Sequence, residues 1–258
     1  MTTIAHPTNA SSDEHLAFAH ATALARRAGA RLVSVHAGDD PSFAARMPDA
    51  GALLSRWGDD GGLTYERLVA DCCLEDTSDA VLDALRGLAP DLIVAATHDR
   101  GPIARILHES YAEGIANNLR VPSLLLRTDV KGFVDEASGS IDLRRVLVPI
   151  GDAEEAAQAV ERAAWILDMA GVEQAEIHLL RVGAPTEWPE TPERPGWTWI
   201  RRTVDAPLEA ALAKEAEGVS LVVMATRGHD SVGDVIAGSH TERVLRSSRC
   251  PVLSVPVA

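Results

Sequence analysis

Apolar residues in this chain come in two textures that alternate along its length. One is the short, nearly unbroken run: Arg31–His36, Asp91–Ala96, Ser123–Arg127, Arg145–Ile150, Glu176–Val182, Ser220–Met224 and Val252–Val257. Such runs have the length and β-branched content of strands buried on both faces. Thr2–Pro7, Thr64–Ala70 and Trp197–Thr203 add three more strands. The other texture is helical. Ala156, Val160, Ala163, Leu167 and Ala170 fall at i, i+4, i+7, i+11 and i+14, and Gly171 stops the helix. Phe18, Ala21, Ala25 and Ala28 make the corresponding stripe ahead of Gly29. Helices near Ser78–Arg86 and Pro207–Glu217 follow the third strands, and another helix precedes each final strand. Strands alternating with helices imply parallel sheets covered on both faces. The fold predicted is α/β: two tandem doubly wound parallel sheets of about five strands each.

The halves repeat one another. Residues 91–126 align with 220–255 without a gap, at an offset of 129. Leu92, Val94, Ala96, Thr97, Ser110, Glu113, Pro122 and Leu124 match their counterparts. This predicts a first domain over 1–128, a linker over 129–142 marked by Gly132 and Gly139, and a second domain over 143–258. Between the second and third strands the halves differ. The first has Asp40–Gly62, with a helix expected around Phe43–Trp57. The second has only Gly183–Gly196, rich in Pro, Glu and Trp and too short for such a helix.

At 258 residues each half is long enough to bury a core of its own. A net charge of −14 repels nucleic acid and anionic lipid, so neither is an expected partner. Cys72, Cys73 and Cys250 offer no disulfide framework and read as small buried hydrophobes. Met1–Asn9 lacks the layout of a signal peptide, and no apolar run approaches a membrane span. The expected location is cytoplasmic.

Candidate chemistry concentrates after Leu221–Met224. There Ala225-Thr226-Arg227-Gly228 is followed, nine residues on, by Gly238-Ser239. A strand, glycines and a Ser opening a helix can hold phosphates on backbone N–H groups and the helix N-terminus. Ser239–Glu242 and Ser110–Glu113 are also capping boxes, which alone would account for Ser239. In the first half Asp99 and Glu109 stand in place of Gly228 and Gly238. A carboxylate about 4 Å from a phosphate repels it by ~4 kcal/mol at an effective dielectric of 20, so the first site should not bind ATP. His229, Asp230 and Asp234 could supply a general base or a Mg²⁺ ligand, or be plain loop groups, and Arg227 and Arg243 could counter phosphate charge.

Val-Val-Met-Ala-Thr-Arg-Gly-His at 222–229, Gly-Ser-His-Thr-Glu-Arg-Val-Leu at 238–245 and Cys-Pro-Val-Leu-Ser-Val-Pro at 250–256 resemble the carboxyl-terminal signature of the universal stress protein superfamily. The likeness covers nearly the whole chain, as a tandem two-domain member. It implies a Rossmann-like fold of the adenine nucleotide alpha hydrolase type. It also implies an ATP site, with Mg²⁺, in which Met224, Ala225 and Gly228 lie along the nucleotide and Gly238, Ser239, His240 and Thr241 surround its phosphates. The sequence departs from the pattern at two places. Ala225 stands at the family's first Gly. The family's Asp after strand one would follow Pro149 and Ile150 directly, but Gly151 is there and Asp152 comes one place late.

The resemblance implies a nucleotide-gated interaction protein of the stress response, with protein partners not named by the sequence and at most slow hydrolysis. It also implies that the two final strands pair inside the chain as a pseudo-dimer, and that two chains can form a homodimer. A scaffold in which both sites have decayed is the alternative, and a nucleotide hydrolase or adenylyl transferase a third.

Overall fold

The computed structural model describes residues 1–59, 61–71, 77–97, 119–151, 153–183, 187–206, 208–227, 244 and 248–257. The first half contains β1 (Thr3–Pro7), α1 (His15–Ala28), β2 (Arg31–Ala37), α2 (Ala50–Arg56), β3 (Tyr65–Ala70), α3 (Thr77–Leu88), β4 (Leu92–Thr97) and β5 (Ser123–Arg127). The second contains β6 (Arg145–Ile150), α4 (Ala153–Met169), β7 (Ala175–Val182), β8 (Trp197–Val204), α5 (Leu208–Glu215), β9 (Leu221–Arg227) and β10 (Val252–Val257).

The ten strands form one sheet in the order β3-β2-β1-β4-β5-β10-β9-β6-β7-β8. Each half has the order 3-2-1-4-5, all parallel, with the direction of winding reversing between its first and fourth strands. β5 and β10 meet antiparallel at the centre through Val252–Leu125, Leu253–Leu124 and Ser254–Ser123. This α/β architecture of doubly wound parallel sheets is the one the apolar runs predict, and strand ends fall within a residue or two of the expected places, with β9 the exception.

Apolar residues of alternate parity feed two layers. Ile4, Val94, Leu124, Val148, Leu179, Val223 and Leu253 face α1 and α4. Ala5, Ile93, Leu125, Leu147, Val222 and Val252 face α3 and α5. Both long helices end on a left-handed glycine, Gly29 at φ +60° and Gly171 at φ +65°. Along α1 the core stripe holds Phe18, Ala21 and Ala25, while Ala28 is exposed in the last turn.

Two expectations need adjustment. A tight turn at Pro41–Ala45 and the separate α2 replace the single helix expected over 43–57. Pro48 lacks an N–H and biases Met47 away from helix, and Asp49 restarts the chain by accepting from Ala52 N at 2.9 Å. β9 runs to Arg227, three residues past the expected end, because Thr226 and Arg227 pair with Pro256 and Val257 of β10. The 129–142 segment folds back on itself and docks. Val134 bridges Ile141, Asp142 N donates to Phe133 O at 2.7 Å, and Phe133 and Val134 are buried. The helices expected before β5 and β10 lie outside the described residues, as do Cys72 and Cys73, whereas Cys250 is a buried free thiol.

Candidate functional site

The crevice at the carboxyl ends of the strands opens where β1 meets β4 and where β6 meets β9, and a proline parts the strands in each place. Ser220 N donates to Arg145 O, so Arg145 presents its backbone to β9, and by alternation so does Pro149. Pro149 has no N–H to give. The β6–β9 ladder accordingly holds only Val146–Leu221 and Leu147–Val222. In the first half Thr8 N donates sideways to Val35 O, which turns Pro7 toward β4, and the ladder again stops at Ile4–Leu92 and Ala5–Ile93. Val94 O accepts instead from the His6 ring, Nδ1 to O at 2.8 Å. His6 is fully buried, its Nε2 has no partner, and burial lowers its pKa to about 4.

In the first half a carboxylate of the chain itself occupies the turn after β1. Glu14, 1% exposed, folds back from the start of α1 over the turn that follows β1. Its carboxylate accepts from Thr8 Oγ1 at 2.5 Å and from Asn9 N at 3.1 Å. Ala10 N donates to Thr8 Oγ1, and Ser11 N to Asn9 Oδ1. The N–H groups of this turn, the natural donors for a bound anion, are thus spent on internal acceptors. Desolvation raises the Glu14 pKa, against the hydrogen bonds that lower it. Glu14 was no part of the sequence-derived site. Its signal was the Ser-x-x-Glu pattern of residues 11–14, although Ser11 makes no side-chain cap and its Oγ is unpartnered.

In the second half Pro149 pairs with Leu180 and is partly buried. Met224 is buried against the α5-side core, and its strand partner is Ser254. Ala225, paired with Val255, packs on the opposite, α4 side. It is therefore a strand residue, with Thr226 beyond it donating to Val255 O at 3.2 Å. The β6–β9 pairing brings Pro149 and the Met224–Ala225 pair to the same carboxyl end of the sheet, on neighbouring strands. Gly151 lies against Glu155: a Cβ built there would sit 2.1 Å from Glu155 Oε2. Burial, and then Glu154, raise the Glu155 pKa. Asp152, Gly228, Gly238, Ser239, His240 and Thr241 lie outside the described residues, as do Asp99, Glu109, His229, Asp230 and Asp234.

The ends of the second strands carry matching stacks that sequence reading did not single out. His36 lies flat on Phe43, 3.6 Å between ring centroids and 7° between planes, and its Nδ1 donates to Thr8 O at 2.9 Å. Arg181, at the same place in the second half, has its guanidinium 4.8 Å above the Trp188 ring. Among the described residues no group of three or more His, Cys, Asp or Glu side chains is arranged to hold a metal ion. Nor is any described helix long and apolar enough to cross a membrane.

A universal stress protein from Archaeoglobus fulgidus superposes on 99% of this chain and 96% of its own, with TM-score 0.64 and 18% identity. A functionally unknown protein from Pseudomonas aeruginosa gives TM-score 0.66 at 13% identity, over 99% and 92%. The cytoplasmic domain of a prokaryotic cation chloride cotransporter gives 0.53 at 11% identity, over 98% and 94%. Such low identities speak for the fold alone. A curated relative from Thermus aquaticus, named for a universal stress protein in the QAH/OAS sulfhydrylase 3′ region, is 41% identical over 54 residues. That stretch is 21% of this chain and 37% of the relative's length. The pattern of the Universal stress protein family matches residues 1–127 and 189–256, more than half of the chain. The chain belongs to the universal stress protein family.

Proposed function

We propose that this universal stress protein binds an adenine nucleotide, ATP with Mg²⁺, in the second-half crevice between β6 and β9, and that the bound nucleotide gates its contacts with protein partners in the cytoplasm. The observation that carries this reading is the contrast between the crevices. In the first half the donors of the β1 turn are taken by the side chains of Glu14, Thr8 and Asn9. In the second, β9 leads into Gly228, Gly238 and Ser239, the residue types that leave room for phosphate oxygens and offer them N–H groups. Hydrolysis is not part of the proposal.

The test is to purify the chain, denature it and identify any released nucleotide by mass spectrometry, then to titrate Mg-ATP into the emptied protein by calorimetry. About one nucleotide per chain, lost in G238E, is the expected result. No nucleotide and no heat at millimolar Mg-ATP would sink it.

A scaffold that binds no nucleotide is the second reading, favoured by Glu155. Its carboxylate lies against Gly151, at the turn where the family pattern expects an Asp. Tight binding gained only in G151D paired with E155A would establish that the native second site has decayed.

A further inference from the structure

Arg181 is 3% exposed, and it is the single Lys or Arg in the buried set of the described residues. Its Nη2 donates to Glu187 O at 2.9 Å, and its guanidinium rests on Trp188. Nε and Nη1 have no hydrogen-bond partner and are shut from solvent. Of the five N–H donors of a guanidinium, one is used. No carboxylate among the described residues pairs with it, although burying an unpaired ion is costly and even a good aromatic stack returns only part of that cost.

Its position gives the orphaned donors a meaning. Arg181 is the register partner of Ile150, the last residue of β6, so it stands at the carboxyl end of the sheet beside the β6 turn. Ile150 and Leu179 belong to the α4-side core, which places Arg181 on that same face. The first half has the same construction, shifted by 145 residues, with His36 on Phe43 in place of Arg181 on Trp188. There, however, the polar edge is closed internally, His36 Nδ1 to Thr8 O. The second half substitutes a permanent cation whose donors are left open.

We infer that Arg181, held flat on Trp188, is an anion-binding residue at the carboxyl end of β6 and β7, taking a phosphate or carboxylate oxygen of a ligand on its unused N–H groups. This goes beyond the nucleotide reading and does not depend on it, since neither Gly238 nor Ser239 enters the argument. In a chain of net charge −14 an unpaired cation so placed is a local attractor for an oxyanion that the surface otherwise repels.

The test uses the full chain and inorganic probes. Thermal unfolding is followed while sodium phosphate, and separately sodium acetate, replaces sodium chloride at matched ionic strength. A saturable rise in Tm is expected for the wild type. Phosphate acting alone points to a phosphorylated ligand, and acetate acting as well points to a carboxylate. R181M keeps the side-chain bulk over Trp188 and removes the unpaired charge. It should unfold in chloride at the wild-type temperature or above, and lose the anion response. R181K, which keeps the charge but not the planar fork, should need at least fivefold more anion for half the effect. No anion-specific rise in the wild type, or an equal rise in R181M or R181K, overturns the inference. Parallel samples with Mg-ATP keep the two readings apart. A phosphate or acetate response without an ATP response removes the nucleotide reading alone, and an ATP response with neither anion response removes this one alone.

Discussion

Leu124 and Leu253 are register partners across the antiparallel seam, and they are also each other's counterparts in the repeat, 129 residues apart. The pseudo-twofold axis that relates the halves therefore passes between these two leucines. Around them Ser123 meets Ser254 and Leu125 meets Val252, pairs that the same rotation exchanges. Both leucines are fully buried on the face covered by α1 and α4.

Truncating either leucine leaves a cavity in the seam that joins the two half-sheets. L124A and L253A should each cost about 2–5 kcal/mol. The double variant should depart from additivity by about 0.5 kcal/mol or more, because the two sites share a cavity. Urea unfolding of the three variants checks this. Strict additivity would mean that the seam is not packed as a unit.

His6 and His20 are buried and neutral, each with its pKa lowered to about 4 by desolvation. His20 Nδ1 donates to Leu16 O, and its Nε2 accepts from Phe133 N at 3.0 Å and Val134 N at 3.1 Å, which pins the 129–142 segment to α1. The unfolded chain takes up these protons near pH 6.5, the folded one only near pH 4. Stability should therefore fall as pH drops from about 6.5 toward 4, by about 3 kcal/mol for each ring over the whole window. A variant with both rings replaced by Gln should show a flatter dependence of Tm on pH than the wild type. An unchanged slope would assign the acid sensitivity elsewhere.

Glu14 should behave with the opposite sign. Its raised pKa means that the folded state favours the protonated carboxyl, a contribution present at low pH and lost as pH rises through the raised value. E14A leaves the Thr8 and Asn9 donors without a partner and should cost about 1–3 kcal/mol. E14Q retains an acceptor and should cost less, and its deficit relative to the wild type should shrink between pH 5 and 8. Denaturant melts at both pH values read the difference. A deficit that grows with pH would contradict the burial effect.

Gly196 has φ +83°, and a Cβ there would lie 2.2 Å from the backbone oxygen of Glu173, which cannot yield as a side chain can. Gly29, at φ +60°, has nothing within 4 Å of the same point. G29A should cost about 1–2 kcal/mol, the strain of a left-handed residue. G196A should cost clearly more, since it must also move the turn ahead of β8. Similar Tm losses for the two would show that the Glu173 turn gives way easily.

The strands were legible because each is a short apolar run closed by Pro, Gly or a charged residue, and a parallel sheet demands such runs. The repeat supplied the topology, since the unbroken match of 91–126 to 220–255 fixes the last two strands of each half. What escaped were features created by contact between distant residues. β9 continues through Thr226 and Arg227 only because β10 lies beside it. A histidine within a run of alanines gives no sign that its ring holds a segment 113 residues away. Glu14 reads as a helix-start carboxylate, and only its fold-back makes it the acceptor for Thr8 and Asn9 in the β1 turn. Pro48 was a visible breaker, and an unbroken helix across it contradicted its chemistry. At the candidate site Pro149 lies one residue before the end of β6, Met224 and Ala225 lie inside a strand that runs on to Arg227, and the glycine loop lies outside the described residues.

The antiparallel seam also sets an order of events during synthesis. β5 acquires its outer neighbour only when Val252–Val257 has been made, long after the other strands of its own half. At about 5–20 residues per second, translating residues 128–251 takes on the order of ten seconds. Throughout that interval the nascent first half presents Ser123–Arg127 as an open edge, a template on which another nascent chain can pair. Coupling two half-sheets within one polypeptide thus removes the need to find a partner, and exchanges it for a dependence on how quickly the ribosome delivers the closing strand.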